Sequence, residues 1–299
     1  MDHFHLMSVY VAVAEEAGFS RAARRLGISP PAVTRAVHTL EHELGVKLLT
    51  RTTRQIRVTE AGSRYLEDAR RILAEVAEAG EAAAGLNAAP RGNLAVTAPA
   101  LFGRMYVMPG IVDYLRRYPD MTVSALFVDR VVNLIDEGLD VGIRIGELPD
   151  STMRAIRAGQ VRRIVCAAPA YLKAHGIPRR PADLARHVVI AASGVSPLAE
   201  WKFSGAGKPA VVRIQPRLTV TSNDAAIAAA LAGFGVTRLL SYQITPHLAA
   251  GKLKIILDEF EPPPLPIHVL HREGRQASAK VRAFVDMMVG QIRADKTLR

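Results

Sequence analysis

The sequence predicts an α/β multidomain protein: an N-terminal winged helix-turn-helix, one long linker helix, and a larger α/β region behind it. Three observations predict this. Apolar residues recur at helical spacing on both sides of a glycine turn within the first 45 residues. A seven-residue apolar repeat runs from Tyr65 to Leu86, and after residue 90 strand-like and helix-like segments alternate.

Composition sets the outer limits. With 299 residues, 49% hydrophobic and 22% charged, the chain is long enough for two or three domains with real cores, and is neither disordered nor fibrous. The longest apolar run, Ala225 to Val236, falls short of the roughly 20 residues a membrane span needs. No basic leader precedes an apolar stretch, so no signal peptide is expected, and Cys166, the single cysteine, fits a reducing cytoplasm and reads as a buried structural thiol. The net charge of +11 lies entirely after residue 90, because residues 1–90 balance. Within them, however, residues 18–57 carry eight Lys/Arg against Glu41 and Glu43, a local basic footprint.

Leu6, Val9, Tyr10, Val13 and Ala17 recur at steps of three and four, marking a first helix that ends at Gly18. Ser20 is placed to cap a short second helix, Arg21–Leu26, and Gly27 supplies the turn after it. Pro31 follows Pro30, and together they occupy the first two positions of a third helix, where missing N–H groups cost nothing; Ser29, held extended by the proline after it, is the cap. At 100° per residue Val33, Val37, Leu40 and Leu44 form an apolar stripe. Pro31, Arg35, His38 and His42 fall opposite, with Thr34 on the flank. Only Ala32 and Val33 are left to donate backbone N–H groups to a phosphate at this helix start.

Two helices around a glycine turn, the second presenting Thr, Arg and His, suit insertion into a DNA major groove. The segment Val46–Gly62 continues with Arg51, Arg54 and Arg57 at steps of three among threonines and β-branched residues, the makings of a two-stranded wing that reaches phosphates. The candidate DNA contacts are therefore Ser29, Pro30, Pro31, Thr34, Arg35 and His38 on the helix, with Arg51, Thr52 and Arg54 on the wing. His38 and His42 have metal-ligand spacing, but no third ligand accompanies them, and neither a metal nor a cofactor is expected.

The stretch "FSRAARRLGISPPAVTRAVHTLEHELGVKLLTRTTRQIRVTEAG" resembles the N-terminal domain of LysR-type transcriptional regulators over about 44 residues without a gap. Its alanine pair, the Ser-Pro helix head, "LEHELGVKLLTR" and the closing "TEAG" carry the resemblance, although Pro30 stands where the family often has Gln and Leu49 where it usually has Phe.

Tyr65, Ala69, Ile72, Val76, Ala79, Ala83 and Leu86 then form a heptad seam, read as the dimerisation face of the linker helix. A long helix lying on its own domain is the alternative; pairing is favoured because a DNA-reading module works on two half-sites. Residues 1–61 thus form the winged domain, 62–90 the linker helix and its hinge, and 91–299 the remaining domain.

In that last region strands are expected at Leu94–Thr97, Thr122–Val128, Asp140–Ile145, Arg163–Ala167, Val188–Ala191, Arg217–Val220, Val236–Leu240 and Ile267–Leu270. Helices are expected between them, notably Arg104–Tyr118, Val131–Gly138, Asn223–Ala232, Tyr242–Gly251 and Ala277–Arg293. Ligands of such sheets bind where strands lead into helices. Those junctions supply the candidate small-molecule contacts Thr97, Pro99, Ala100, Phe102, Asp129, Arg144, Ile145, Gly146, Ser193, Ser222 and Asn223, together with Trp201. Thr97 and Ser222 could equally be helix caps.

"TAPALFGRMYVMPGIVDYLRRYPD" and "GLDVGIRIGELPDSTM" are similar to the effector domain of the same LysR-type family. The resemblance implies a two-lobed, periplasmic-binding-protein-like α/β effector domain, with lobe I at about 91–161 and 267–299, lobe II at about 162–266, and a small-molecule effector between them. No GxSxG, dinucleotide, Walker or metal motif argues for an enzyme. The expectation is a cytoplasmic, homo-oligomeric regulator, a dimer assembling to a tetramer, that binds a dyad-symmetric double-stranded site and no membrane. A solute-binding protein built on the two lobes is the rival reading.

Overall fold

The computed structural model describes residues 2–51, 56–83, 89–148, 153–192, 200–204, 209–272 and 277–299. The chain forms two compact units, Met1–Ala88 and Ala89–Arg299. No helix among the described residues is long and apolar enough to cross a membrane.

The first unit runs α1 His3–Glu16, α2 Phe19–Leu26, α3 Pro30–Leu44, β1 Leu49–Arg51, β2 Ile56–Val58 and α4 Glu60–Ala83. Leu6, Val9, Tyr10 and Val13 from α1 close over Ala22 and Ala23 of α2 and Val33, Val37 and Leu40 of α3. Each buried Leu or Val among them contributes about 1.5–3 kcal/mol. The apolar stripe of α3 ends sooner than its spacing predicts, since Leu44 is 37% exposed beside the Gly45 cap. The junction of α1 and α2 also differs from expectation. Ala17, not Gly18, takes the left-handed conformation (φ 46°), and the extended Gly18 caps a helix that starts at Phe19, leaving Ser20 inside it. Phe19 packs on the core, and the helix must begin there to place it.

Gly62, just inside α4, lies where a Cβ would come within 2.1 Å of the Leu48 carbonyl oxygen, and its own carbonyl accepts from Tyr10 Oη at 2.9 Å. That close approach fixes α4 against α1 and the wing, and it explains a glycine inside a helix.

The second unit contains two five-stranded sheets. β3 Gly92–Ala98, β4 Met121–Phe127, β5 Val141–Ile145, β6 Arg154–Val161 and β14 Leu265–His271 form one, in the order β4-β3-β5-β14-β6. β7 Arg163–Ala167, β8 Val189–Ala192, β11 Pro216–Val220, β12 Val236–Leu240 and β13 Lys254–Ile256 form the other, in the order β11-β8-β12-β7-β13. In each sheet four strands share one direction and one runs against them, β14 in the first and β7 in the second, and a β9–β10 hairpin, Glu200–Ser204 and Pro209–Arg213, accompanies the second. The helices are α5 Ala100–Phe102, continued by a wider turn at Gly103–Val107 into α6 Met108–Arg117, then α7 Pro169–His175, α8 Asn223–Leu231, α9 Ser241–Ala249 and α10 Ala279–Ala294. The chain enters the second sheet after β6 and returns at β14, and the two lobes are named from these sheets.

The helix expected at Val131–Gly138 is a turn. Asn133 Oδ1 accepts from the Ile135 N–H, a local closure that competes with helical bonding, and Val132 and Leu134 are buried while Val131, Asn133 and Ile135 are exposed. That alternation has period two, not 3.6.

Candidate nucleic-acid interface and ligand cleft

The exposed side of α3 carries Pro31, Arg35, His38 and His42, and Thr34 is half-buried on its edge. The Arg35 side chain makes no hydrogen bond or ion pair among the described residues, and it is exposed on a helix whose opposite face is buried. A surface hollow of ≈ 380 Å³ adjoins Thr34 and His38 and is floored by Phe19, Val37 and Leu49, with Lys47 and Glu41 at its side. The head of α3 corrects one expectation. The Ala32 and Val33 N–H groups both donate to the Ser29 carbonyl, at 2.9 and 3.2 Å, because the prolines leave Ala32 as the first donor able to reach back. Neither N–H is held for a phosphate. Ser29 is extended and caps through its carbonyl alone, its hydroxyl taking no capping bond.

Behind this face sits a residue whose role sequence reasoning missed. Glu41 is 8% exposed and its carboxylate accepts from the Leu48 and Leu49 N–H groups at 2.9 and 3.1 Å and from Lys47 Nζ at 2.7 Å. Burial pushes this carboxyl up, but the bonds from Lys47, Leu49 and Leu48 outweigh it and hold it below the ordinary carboxylate range. It ties α3 to the first wing strand. The signal was present in "LEHELGVKLL", a carboxylate on the buried edge of the stripe six residues before a lysine.

The wing is the antiparallel pair β1–β2, with Thr50 Oγ1 donating to the Arg57 carbonyl at 3.2 Å and Arg57 exposed on the return strand. Arg51 lies on β1; Thr52 and Arg54 fall outside the described residues.

The linker seam is partly spent within its own unit. Tyr65 packs on the α1 core with its ring 5.7 Å from Tyr10, and Ala69 is fully buried. Glu15 of α1 holds both Arg70 of α4 at 2.9 Å and Arg25 of α2 at 2.7 Å. The seam's first two positions therefore pack on the reading head, because those turns cover α1. Ile72 is half-buried and Val76 is 45% exposed; the Ala79 and Ala83 side chains and Leu86 fall outside the described residues.

In the second unit, Thr97, next to last in β3, is fully buried, and its hydroxyl has no hydrogen-bond partner among the described residues. Pro99 caps α5, and the Ala100 N–H donates to Asp129 Oδ1 at 2.9 Å, pinning the loop after β3 to the loop after β4. Phe102 is fully buried, stacked on Tyr106 (4.9 Å between rings) and edge-on to Tyr242 (5.2 Å), which brings lobe I against lobe II. Beside this aromatic floor Arg104 pairs with Asp224 at 3.0 Å. Burial pushes the Tyr242 hydroxyl up, and the charges of Asp129 and Asp224 add to it, which places both carboxylates near that ring. Tyr106 and Tyr242 are absent from the sequence-derived set, although Leu240–Gln243 is a strand-to-helix junction of the kind that supplied the others.

Arg144, on β5, donates to the Ile143 and Val132 carbonyls at 3.2 and 3.4 Å; burial lowers its guanidinium, and Glu137 only partly offsets this. Ile145 is a half-buried ladder residue opposite Ile267, and Gly146 (φ 120°) donates to the Pro266 carbonyl. Ser222 takes its cap role, accepting from the Ala225 N–H at 3.2 Å, and Asn223 opens α8. Ser193 lies outside the described residues. Trp201 departs from expectation: it is 5% exposed inside the lobe II core with Phe203, Val189 and Val236, so it supports the sheet from the hairpin instead of joining the junction residues. Among the described residues no His/Cys/Asp/Glu group is arranged to hold a metal. Cys166 is fully buried, its thiol pushed up to about 12 by burial.

Comparison with known proteins bears on both surfaces. Residues 4–63 match the family described as "Bacterial regulatory helix-turn-helix protein, lysR family", and residues 87–293 match "LysR substrate binding domain". The chain is 32% identical over 288 residues to the transcriptional regulator CrgA of Neisseria meningitidis, covering 96% of each chain. It is 32% identical over 290 residues to the transcriptional activator AaeR of Escherichia coli, covering 96% and 93%. The solved structure of CrgA matches with a TM-score of 0.62 over 96% of this chain and 97% of that one. The full-length structure of the Vibrio cholerae virulence activator AphB, 24% identical, shares the fold with a TM-score of 0.62 over 97% and 99%.

Proposed function

The chain belongs to the LysR family of transcriptional regulators, DNA-binding proteins modulated by an effector, and from that premise we propose how its own residues divide the work. The α3 face, through Thr34, Arg35 and His38, reads base edges in a major groove, while Ser29 and the wing residues Arg51, Thr52 and Arg54 take phosphates. Pro30 and Pro31 set the helix start. Residues 1–61 act as the reading head, 62–90 as linker and hinge, and 91–299 as the sensor. The observation that carries this reading is Arg35, an unpartnered guanidinium on the solvent side of a helix whose other side is core. Ile72, Val76, Ala79, Ala83 and Leu86 supply the contact between two chains, giving a homodimer that pairs into a tetramer. The protein works in the cytoplasm by binding, not by catalysis.

The effector lies between the lobes, against the aromatic floor of Phe102, Tyr106 and Tyr242, and Thr97 offers it a hydroxyl whose bond the protein leaves unmade. An unpaired buried hydroxyl costs about 1–3 kcal/mol, so a ligand that supplies the missing partner gains that much on binding. Pro99, Ala100, Asp129, Arg144, Ile145, Gly146, Ser193, Ser222 and Asn223 line or brace the same cleft. Effector binding shifts the balance between lobe arrangements and so the spacing of reading heads on a dyad.

Fluorescence anisotropy against a dyad-symmetric promoter fragment tests this. Binding tighter than to bulk DNA is expected, with log K falling linearly with log salt as phosphate counterions are released. Equal affinity for promoter and bulk DNA at every salt concentration would refute it.

A further inference from the structure

Lobe II contains two neighbouring guanidiniums with no counter-charge among the described residues. Arg163 opens β7 and Arg238 is the third residue of β12; the strands pair antiparallel with Arg238 opposite Val165 and Leu240 opposite Arg163. Alternate residues of a strand share a face, so the two arginines are diagonal neighbours on one face, their backbones roughly 7–8 Å apart. The β9–β10 hairpin covers that face. The Arg238 guanidinium lies 4.9 Å over the Trp201 ring and donates to the Lys202 carbonyl at 3.2 Å, using one of its five N–H donors. The Arg163 side chain makes no hydrogen bond or ion pair among the described residues.

Both side chains are half-buried. Burial lowers each guanidinium, and the one charge that bears on Arg238 is the repelling charge of Arg163. The chain does place carboxylates on arginines close by: Arg162, the preceding residue, meets Glu261 at 3.2 Å. Two half-buried cations side by side, one with its plane fixed by an indole, are an unfavourable arrangement unless something neutralises them.

We propose that Arg163 and Arg238 form a binding site for a small oxyanion, whose oxygens bridge the two guanidinium forks. The fork geometry suits a carboxylate or a phosphate equally, and both accept paired N–H bonds. The site is built from β7, β9 and β12 alone and requires no residue of the cleft between the lobes, so it stands apart from the effector assignment above.

The test is the melting temperature of the full chain at fixed ionic strength, with chloride replaced by acetate in one arm and by inorganic phosphate in the other. A ligand that prefers the folded state raises the melting temperature. At least one arm is expected to raise it, acetate alone pointing to an organic acid and phosphate alone to a phosphorylated species. Arg163→Gln and Arg238→Gln should each abolish that rise, and Thr97→Val should retain it. Without anion, Arg163→Gln should melt no lower than the parent, because it removes a repelled cation that bonds to nothing. If Arg238→Gln fails to fold, Arg163→Gln decides alone. A rise that survives Arg163→Gln, or no rise in either arm, overturns the proposal. A rise lost only in Thr97→Val also overturns it and moves the anion to the cleft.

Discussion

Glu41 and Glu15 in the first unit and Arg144, Arg163 and Arg238 in the second are all charged groups drawn partly out of water, and the protein treats them differently. Glu41 meets two backbone N–H groups and a lysine, and Glu15 meets two arginines from two helices. The three sensor arginines find backbone carbonyls or nothing. Thr97 extends the pattern, a fully buried hydroxyl without a hydrogen-bond partner among the described residues. Among its described residues the first unit pairs the charges it buries and leaves Arg35 unpaired on the surface. The sensor keeps unmade bonds inside, which is the condition for a ligand to be felt as stability.

Substitutions in the two units should therefore differ in sign. The largest effect is expected from Gly62→Val, whose Cβ would collide with the Leu48 carbonyl. A loss of about 3 kcal/mol is expected in chemical denaturation followed by far-ultraviolet circular dichroism, with loss of DNA binding. Glu41→Ala comes next, at about 2 kcal/mol, since two buried N–H groups lose their acceptor. Acid should reproduce part of it. The folded carboxyls of Glu41 and Glu15 are held below their ordinary value of 4.5, so their contribution is complete above that value and is lost as pH falls below it. A melting temperature unchanged between pH 6 and pH 3 would contradict this.

Arg35→Ala should leave folding intact and cost about 1–3 kcal/mol in DNA affinity, read by anisotropy. Thr97→Val is the smallest and has the opposite sign. Replacing an unpaired buried hydroxyl by a methyl of similar shape should stabilise the ligand-free sensor by up to about 1 kcal/mol, while removing its melting response to effector. Destabilisation by Thr97→Val would show that the hydroxyl has a partner and would remove the contrast between the units.

The first unit was the more legible in sequence because its determinants are local: helical spacing, glycine turns and a proline pair all act within a few residues. Its errors were local too, as at Ala17 and Gly18, where the core's need for Phe19 outweighed the preference for a glycine in the left-handed position. In the sensor the expected strands formed, but β6, β13 and the β9–β10 hairpin went unread. They are defined by long-range pairing, β6 lying beside β14 more than a hundred residues on. Thr97 was chosen for its place at a strand end, yet what distinguishes it, a hydroxyl sealed in without an acceptor, depends on everything packed around it. Arg163 and Arg238 were invisible as a pair because only strand register joins them.

The bond from Tyr10 to the Gly62 carbonyl and the Glu15–Arg70 bridge have a mechanical consequence. They clamp the first turns of α4 to the reading head, so the helix transmits rotation like an axle rather than bending like a tether. One residue of α-helix is about 100° of rotation and 1.5 Å of travel. Inserting a single alanine after Val76 would turn the reading head by that angle about its shaft while leaving its fold intact, and in a homodimer on a dyad-symmetric site the two heads would fall out of phase.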